Sequence, residues 1–169
     1  MFDVSLMPQQ IQNLFENLQK SEVRENLTPF NILLTGTTGT GKTTAAKEIA
    51  RAMNAELLEI KLRHGRASLE WIDRIETFGS TRSLNWLETG DFTERPKVVL
   101  VDEIELVPNQ AIVIRRSLDD FKGKLYFIAT CNSTDKIHDS VISRFKVIEC
   151  NGEDLRQKKT HTQINSLLD

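Results

Sequence analysis

Glycines, threonines and one lysine are concentrated between residues 36 and 44 in a pattern suited to holding phosphate. The run consists of Gly36, Thr37, Thr38, Gly39, Thr40, Gly41, Lys42, Thr43 and Thr44. Glycines allow a tight turn whose backbone N–H groups, together with a following helix N-terminus, bind phosphate oxygens. At this spacing Lys42 is expected to reach the β- and γ-phosphates of a nucleoside triphosphate, and Thr43 to place its hydroxyl on Mg²⁺. The run therefore predicts a triphosphate site rather than an ordinary glycine-rich turn.

After this glycine loop (residues 36–44), the second group of candidate residues is an acidic pair, Asp102 and Glu103. The pair directly follows the uncharged run VVLV. The carboxyl ends of parallel strands face one crevice, so both carboxylates are expected near the glycine loop. Asp102 would hold Mg²⁺ through water, and Glu103 would polarise the water that attacks the γ-phosphate. Two adjacent acids can also form a solvated turn, but the presence of the glycine loop favours the catalytic interpretation.

The elements that must position these residues are visible as short apolar runs and helical patterns. Apolar runs too short for helices occur at 30–35, 56–60, 97–101, 124–129 and 145–149, and helical spacing occurs at 11–18, 44–53, 69–78 and 110–121. Strands that alternate with helices predict an α/β fold in which a parallel five-stranded sheet lies between helices. The segment 79–96 has turn residues at both ends, and its conformation is the least defined by the pattern.

Composition limits the remaining classes of function. The 169 residues, 39% of them hydrophobic, suit one compact domain, and 22 basic against 24 acidic side chains give a net charge of −2. This balance predicts no general affinity for nucleic acid, so a DNA contact requires a local patch. No leader pattern and no apolar run of roughly 18 residues is present, which predicts a cytoplasmic protein without a membrane partner. Cys131 and Cys150 lack metal-ligand spacing and are expected to be buried thiols.

Two segments, GTTGTGKT and VVLVDEIE, make the chain resemble the AAA+ ATPases, and two later segments extend the resemblance. The run FIATCN ends in Asn132, where that family has its sensor-1 polar residue, which positions the water or the γ-phosphate. The run SVISRFKVIEC is similar to the Ser-Arg-Cys segment of the clamp-loader branch, which includes replication factor C and phage clamp loaders, with Phe145 in place of Cys. Arg144 would then be the arginine finger, a catalytic group that completes a neighbouring subunit's site. A surface arginine that caps the preceding helix is the alternative interpretation.

The resemblance also implies a domain organisation. Residues 1–150 would form the AAA+ nucleotide-binding domain, a P-loop NTPase three-layer fold, and 151–169 a short helical remnant of the family's lid. Clamp loaders normally have a complete lid and a collar, which 151–169 is too short to supply. Because this chain differs from the family in its lid and collar, the resemblance does not imply that it assembles a ring by itself or hydrolyses ATP at the full rate.

The function implied is that of an ATP-hydrolysing, clamp-loader-like subunit in DNA replication, working with other AAA+ subunits, a sliding clamp and primer-template DNA. Four basic residues are candidates for contacts to the DNA backbone: Lys61, Arg63, Arg66 and Arg82. A solvated charged face is the simpler interpretation of these residues. The alternative functions are another AAA+ remodelling role such as a helicase loader, or a nucleotide-dependent binding module with little hydrolysis. A small P-loop kinase is disfavoured, because Glu103, Asn132 and Arg144 suit hydrolysis between subunits.

Overall fold

The computed structural model of the chain describes residues 3–20, 28–61, 70–81, 94–106 and 111–150. Its helices are α1 (Gln9–Gln19), α2 (Lys42–Ala52), α3 (Glu70–Ser80), α4 (Ala111–Asp120) and α5 (Asp139–Ile142), with 3-10 turns at Val4–Leu6 and Ile104–Leu106. Its strands are β1 (Asn31–Thr35), β2 (Glu56–Lys61), β3 (Lys97–Asp102), β4 (Tyr126–Cys131) and β5 (Lys146–Glu149). Each predicted run and helical pattern corresponds to one of these elements.

All five strands are parallel and lie in the order β2-β3-β4-β1-β5. Strand β1 is therefore next to β4 and β5, although both come more than 90 residues later in the chain. In the register, Thr35 lies beside Cys131, and Val101 lies beside Ala129. The segments that follow β1, β3 and β4 consequently leave the sheet at one edge. This arrangement confirms the predicted parallel sheet and brings the glycine loop and the acidic pair together.

Helices cover both faces of the sheet, which confirms the three-layer α/β fold. Neighbouring residues of a strand point to opposite faces, so Val98 and Val99 belong to different core clusters. Helices α1 and α2 contribute to the cluster that contains Val98, and α3, α4 and α5 to the cluster that contains Val99. Because both faces of the sheet are buried, the strands appear in the sequence as continuous apolar runs rather than as an alternation of apolar and polar residues.

A buried lysine joins the end of α3 to the beginning of β3. The Nζ atom of Lys97 donates to Phe78 O at 2.5 Å, to Thr81 Oγ1 at 2.8 Å and to Thr81 O. It also lies 4.9 Å from the centre of the Phe78 ring. These oxygens satisfy all three N–H groups of the ammonium, and the negative end of the helix macrodipole favours its charge. The sequence pattern did not identify this contact.

Several predictions fall outside the described residues. Arg63, Arg66 and Arg82 belong to this group, as does the lid remnant at 151–169. The assignment of 1–150 as one domain stays a prediction. Within the described part of the chain, no helix combines the length and apolar character needed to cross a membrane.

Candidate active site

The glycine loop connects β1 to α2 and follows a path that depends on glycine. Gly36, Gly39 and Gly41 have φ values of 145°, 84° and 81°, a region that residues with a Cβ atom rarely adopt. A Cβ atom on Gly36 would also lie 2.3 Å from the carbonyl oxygen of Cys150. At Gly39 a Cβ atom would meet nothing within 4 Å, so this part of the loop faces open space. Thr40 is buried, and its hydroxyl donates to Thr37 O at 2.9 Å, which stabilises the turn from within.

Lys42 lies across the loop with only 8% of its surface exposed. Its Nζ atom donates to Gly36 O at 2.7 Å, to Thr37 O at 2.9 Å and to Asn132 Oδ1 at 3.3 Å. These acceptors are uncharged, and no ion pair joins Lys42 to an acid among the residues that the structure describes. A largely desolvated ammonium with neutral partners favours an anionic ligand, since charge-assisted hydrogen bonds are the stronger ones. The loop therefore fits a phosphate chain.

The hydroxyl of Thr43 meets the acidic pair at the first turn of α2. Thr43 Oγ1 donates to Asp102 Oδ1 at 2.8 Å, and Thr130 Oγ1 donates to the same oxygen at 2.6 Å. Thr130 Oγ1 in turn accepts the backbone N–H of Glu103 at 3.0 Å. A hydroxyl and a carboxylate oxygen are ligands of the hard type that Mg²⁺ takes, directly or through water. The donor set therefore fits magnesium.

Thr130 was missed by reasoning from the sequence. It is 1% exposed and lies on β4, between β1 and β3, where its hydroxyl fixes both residues of the acidic pair. The available signal was its place in the apolar run FIATCN, where a threonine needs a hydrogen-bond partner if both faces of the strand are buried. Identifying that partner required the strand order.

Glu103 has a left-handed backbone conformation, with φ of 57°. This conformation costs on the order of 1 kcal/mol or more for a residue with a Cβ atom. Two contacts hold it in place: its N–H donates to Thr130 Oγ1 at 3.0 Å, and its carbonyl accepts the N–H of Leu106 at 3.0 Å. The side chain is exposed and lines the cleft. Its carboxylate can therefore meet a water in the cleft.

A buried acid holds Asn132. Oε1 of Glu105 accepts the backbone N–H of Asn132 at 2.8 Å and its side-chain amide at 2.9 Å. The oxygen of the same amide accepts from Thr38 Oγ1 and from Lys42 Nζ, both at 3.3 Å. Glu105 is 7% exposed and was not predicted as a site residue. Glu105 is the third acid of the run DEIE, which is a weak signal in the sequence, and the 3-10 turn at 104–106 is what turns it towards β4.

These residues enclose a cleft of about 340 Å³. Besides Thr130 and Cys131, its lining contains nine of the residues predicted to bind phosphate, metal or water: Thr38, Gly39, Gly41, Lys42, Thr43, Thr44, Asp102, Glu103 and Asn132. Gly36, Thr37 and Thr40 were also predicted to bind phosphate, but they do not line the cleft. Gly36 and Thr37 contribute carbonyl oxygens to Lys42. The structure thus brings the two motifs and Asn132 into one site.

Arg144 does not line this cleft. Its Nε and Nη2 atoms donate to the carboxylate of Asp119 at 2.7 and 2.9 Å, and Nη1 donates to Ser140 O at 2.6 Å. The bond to Ser140, within α5, is the contact that the helix-capping interpretation requires. The hydrogen-bonded guanidinium lowers the pKa of Asp119, and the carboxylate raises the pKa of Arg144.

Lys61 is the one candidate for DNA contact within the described residues, and it does not line the cleft. Lys61 ends β2, where its ammonium lies 3.3 Å from Oε1 of Glu59. Both cysteines are buried and unpaired, as predicted, and Cys131 lines the cleft. Burial raises the pKa of the Cys131 thiol and raises that of Cys150 to about 11. These thiols are protonated at neutral pH and are poor nucleophiles.

A family model matches most of the chain. The model for the ATPase family associated with various cellular activities (AAA) matches residues 32–153, which is more than half of the chain. The matched region takes in the glycine loop, the acidic pair, Asn132 and Arg144. A comparison with curated proteins found no match.

Proposed function

The chain belongs to the AAA family of ATPases, and from this premise we propose that it binds ATP with Mg²⁺ in the described cleft and hydrolyses it at a site completed by a neighbouring subunit. The observation that carries the proposal is the convergence of Lys42, Thr43 and Asp102 on one cleft. A charged lysine and a hydroxyl–carboxylate pair next to a helix N-terminus suit a phosphate chain with bound magnesium.

Binding follows from the groups that face the cleft. The first N–H groups of α2 have no partner within the helix and point towards the loop, where they favour phosphate oxygens. Lys42 exchanges neutral carbonyl acceptors for charged oxygens, which strengthens its hydrogen bonds. Thr43 and Asp102 would hold the metal, and a bound metal would neutralise part of the negative charge of the phosphates.

Hydrolysis needs a group that accepts a proton from water and a group that orients the reactants. Glu103 is suited to the first role, because its exposed carboxylate projects from a backbone held by Thr130. Asn132 is suited to the second, since Glu105 fixes its amide beside Lys42. General-base catalysis of this kind contributes about 10²- to 10⁴-fold in rate.

Completion of the site in trans is supported by the position of Arg144. It lies outside its own cleft, and 31% of its side chain is exposed, so a second subunit can approach it. The resemblance of SVISRF to the clamp-loader segment assigns this arginine to the neighbour's nucleotide. On the same resemblance we propose a clamp-loader-like role, with a sliding clamp and primer-template DNA as partners.

A subunit-mixing experiment tests the proposal. Arg144→Ala keeps an intact cleft and Lys42→Ala keeps an intact arginine, so each is expected to be inactive alone, whereas the mixture hydrolyses ATP. Loss of an arginine finger costs about 10³- to 10⁵-fold in rate, on the order of 4 to 7 kcal/mol of barrier, whereas loss of a surface cap costs about 1 kcal/mol or less. Arg116→Ala is the matched control, because Arg116 is an exposed arginine paired with Asp120 on α4.

Two further measurements separate the alternatives. Mass measurement with and without ATP reports nucleotide-dependent assembly, and a pull-down with a sliding clamp distinguishes clamp loading from another remodelling role. If both variants co-assemble with wild type and the mixture stays inactive, the trans assignment is wrong. Tight ATP binding without turnover, with or without DNA, would instead indicate a nucleotide-dependent binding module.

A further inference from the structure

We infer that Asp119 is the positioning residue for Arg144, holding its guanidinium so that two N–H groups remain available to an anion on a second subunit. The inference rests on the proposed role of Arg144 in trans. Asp119 lies near the end of α4, and Arg144 follows α5, 25 positions later. No sequence motif links the two residues.

The contact uses one edge of the guanidinium. Nε meets Oδ1 of Asp119 at 2.7 Å and Nη2 meets Oδ2 at 2.9 Å, which is the bidentate geometry that matches a planar carboxylate. Nη1 donates to Ser140 O at 2.6 Å. Of the five N–H groups of an arginine, three thus have acceptors among the described residues. One N–H therefore remains on each terminal nitrogen, and each can donate to an oxygen of an anion.

The backbone of Arg144 is also fixed. Its N–H donates to Val141 O at 3.0 Å, and its carbonyl accepts the side-chain amide of Asn31 at 3.1 Å. The next residue, Phe145, is buried in the same core cluster as Val141. The backbone therefore sets where the side chain starts, and Asp119 sets where it ends.

The charge of the surroundings favours this arrangement. The hydrogen bonds from Arg144 are the main cause that lowers the pKa of Asp119, and the charges of Arg115 and Lys122 lower it further. Half of the Asp119 side chain is exposed, so the pair is solvated and the guanidinium keeps attraction for an approaching anion. Asp119 therefore orients the arginine in a solvated pair that a second subunit can still approach.

Removal of the carboxylate is therefore expected to slow hydrolysis without abolishing it. An arginine side chain has about 2 kcal/mol of rotamer entropy, so release of Arg144 is expected to cost about tenfold to thirtyfold in kcat. The KM for ATP should stay unchanged, because Asp119 does not line the cleft. Asp119→Glu, which retains the carboxylate, should recover part of the rate.

The ATP hydrolysis rate of mixed subunits separates the two possible roles of Asp119, because a purely structural role would not make the rate depend on the partner variant. Asp119→Ala mixed with Lys42→Ala should reach the rate of the Arg144→Ala and Lys42→Ala mixture, since the Lys42→Ala subunits supply a correctly held arginine. Asp119→Ala mixed with Arg144→Ala should stay slow. Asp120→Asn is the matched control: it changes the adjacent exposed acid, which pairs only with Arg116 among the described residues, and should hydrolyse as wild type.

The possible failures are distinguishable. Asp119→Ala with wild-type or higher kcat, beside an inactive Arg144→Ala, would overturn the positioning role and leave the proposed function standing. Wild-type activity of Arg144→Ala would overturn the proposed function itself. If Asp119→Ala does not fold, Asp119→Asn keeps the size and one oxygen acceptor, and its kcat decides in the same way.

Discussion

The hydroxyl oxygen of Thr43 lies 2.8 Å from Oδ1 of Asp102, although 59 positions separate the two residues in the chain. Strand β4 lies between β1, which leads into the loop before Thr43, and β3, which ends at Asp102. Thr130 on β4 donates to the same carboxylate oxygen at 2.6 Å. The groups proposed to bind Mg²⁺ are therefore joined across three strands by hydrogen bonds of the protein itself. Such preorganisation lowers the cost of assembling the site during turnover.

Lys42→Ala is expected to weaken ATP binding at least about a hundredfold, because hydrogen bonds from a charged group contribute roughly 1.5 to 3 kcal/mol each. Calorimetry measures the effect. Lys47→Ala is the matched control on the same helix, since Lys47 pairs with Glu59 at 3.1 Å and does not line the cleft. Unchanged affinity in Lys42→Ala would remove the basis for the phosphate-loop assignment.

Glu103→Gln is expected to bind ATP as wild type does and to hydrolyse it at least about a hundredfold more slowly, because the amide cannot accept the proton of the attacking water. Single-turnover hydrolysis and nucleotide retention on a desalting column measure the two effects. Glu76→Gln, which changes an exposed acid on α3, should behave as wild type. Hydrolysis by Glu103→Gln at the wild-type rate would show that another group activates the water.

Thr130→Val keeps the shape of the side chain and removes the hydroxyl that joins Asp102 to the N–H of Glu103. We expect a loss of about 1 to 2 kcal/mol in the free energy of unfolding, and a hydrolysis rate lower by about tenfold. The Mg²⁺ concentration at half-maximal rate should rise, because Asp102 is less firmly held. Thr130→Ser retains the hydroxyl and should restore all three values; equal defects in the two variants would argue against the hydrogen bonds.

Gly39→Ala and Gly123→Ala form a matched pair. The φ values are 84° and 80°, and a Cβ atom would meet nothing within 4 Å at either position. Each substitution is expected to cost about 1 to 2 kcal/mol in the free energy of unfolding. Only Gly39→Ala should also weaken ATP binding, since Gly39 lines the cleft. Equal ATP affinities in the two variants would contradict the inferred path of the phosphates.

Cys150 should make stability depend on alkaline pH. Its pKa is raised by burial from 9.0 to about 11, so the folded state keeps the proton that the unfolded state loses. The contribution is complete below about pH 9 and is lost as the pH rises through about 11, up to roughly 2 to 3 kcal/mol. Urea unfolding between pH 8 and 10.5 should show a shallower decline for Cys150→Ala than for wild type; parallel declines would exclude this thiol as a cause.

Much of the fold could be predicted because it depends on neighbours in the chain. Apolar runs too short for helices marked the strands, and the glycine spacing marked the loop, since a backbone at φ near 80° selects glycine locally. The acidic pair could be placed near the loop from the general rule for parallel strand ends. The segment 79–96 could not be resolved from its composition, and α3 continues to Ser80 within it.

The sequence by itself determined the elements and the glycine loop, and it predicted the roles of Lys42, Thr43, Asp102 and Glu103, because residue type and spacing within a few positions set these. Only the tertiary structure decided the strand order, because apolar runs of similar composition can pair with one another in several alternative orders. That order placed Thr130 beside Asp102 and Glu105 beside Asn132, and the packing of α4 on α5 paired Asp119 with Arg144. Each of these contacts joins residues at least 25 positions apart, and the free energy that selects them comes from burial of the whole core rather than from any local pattern.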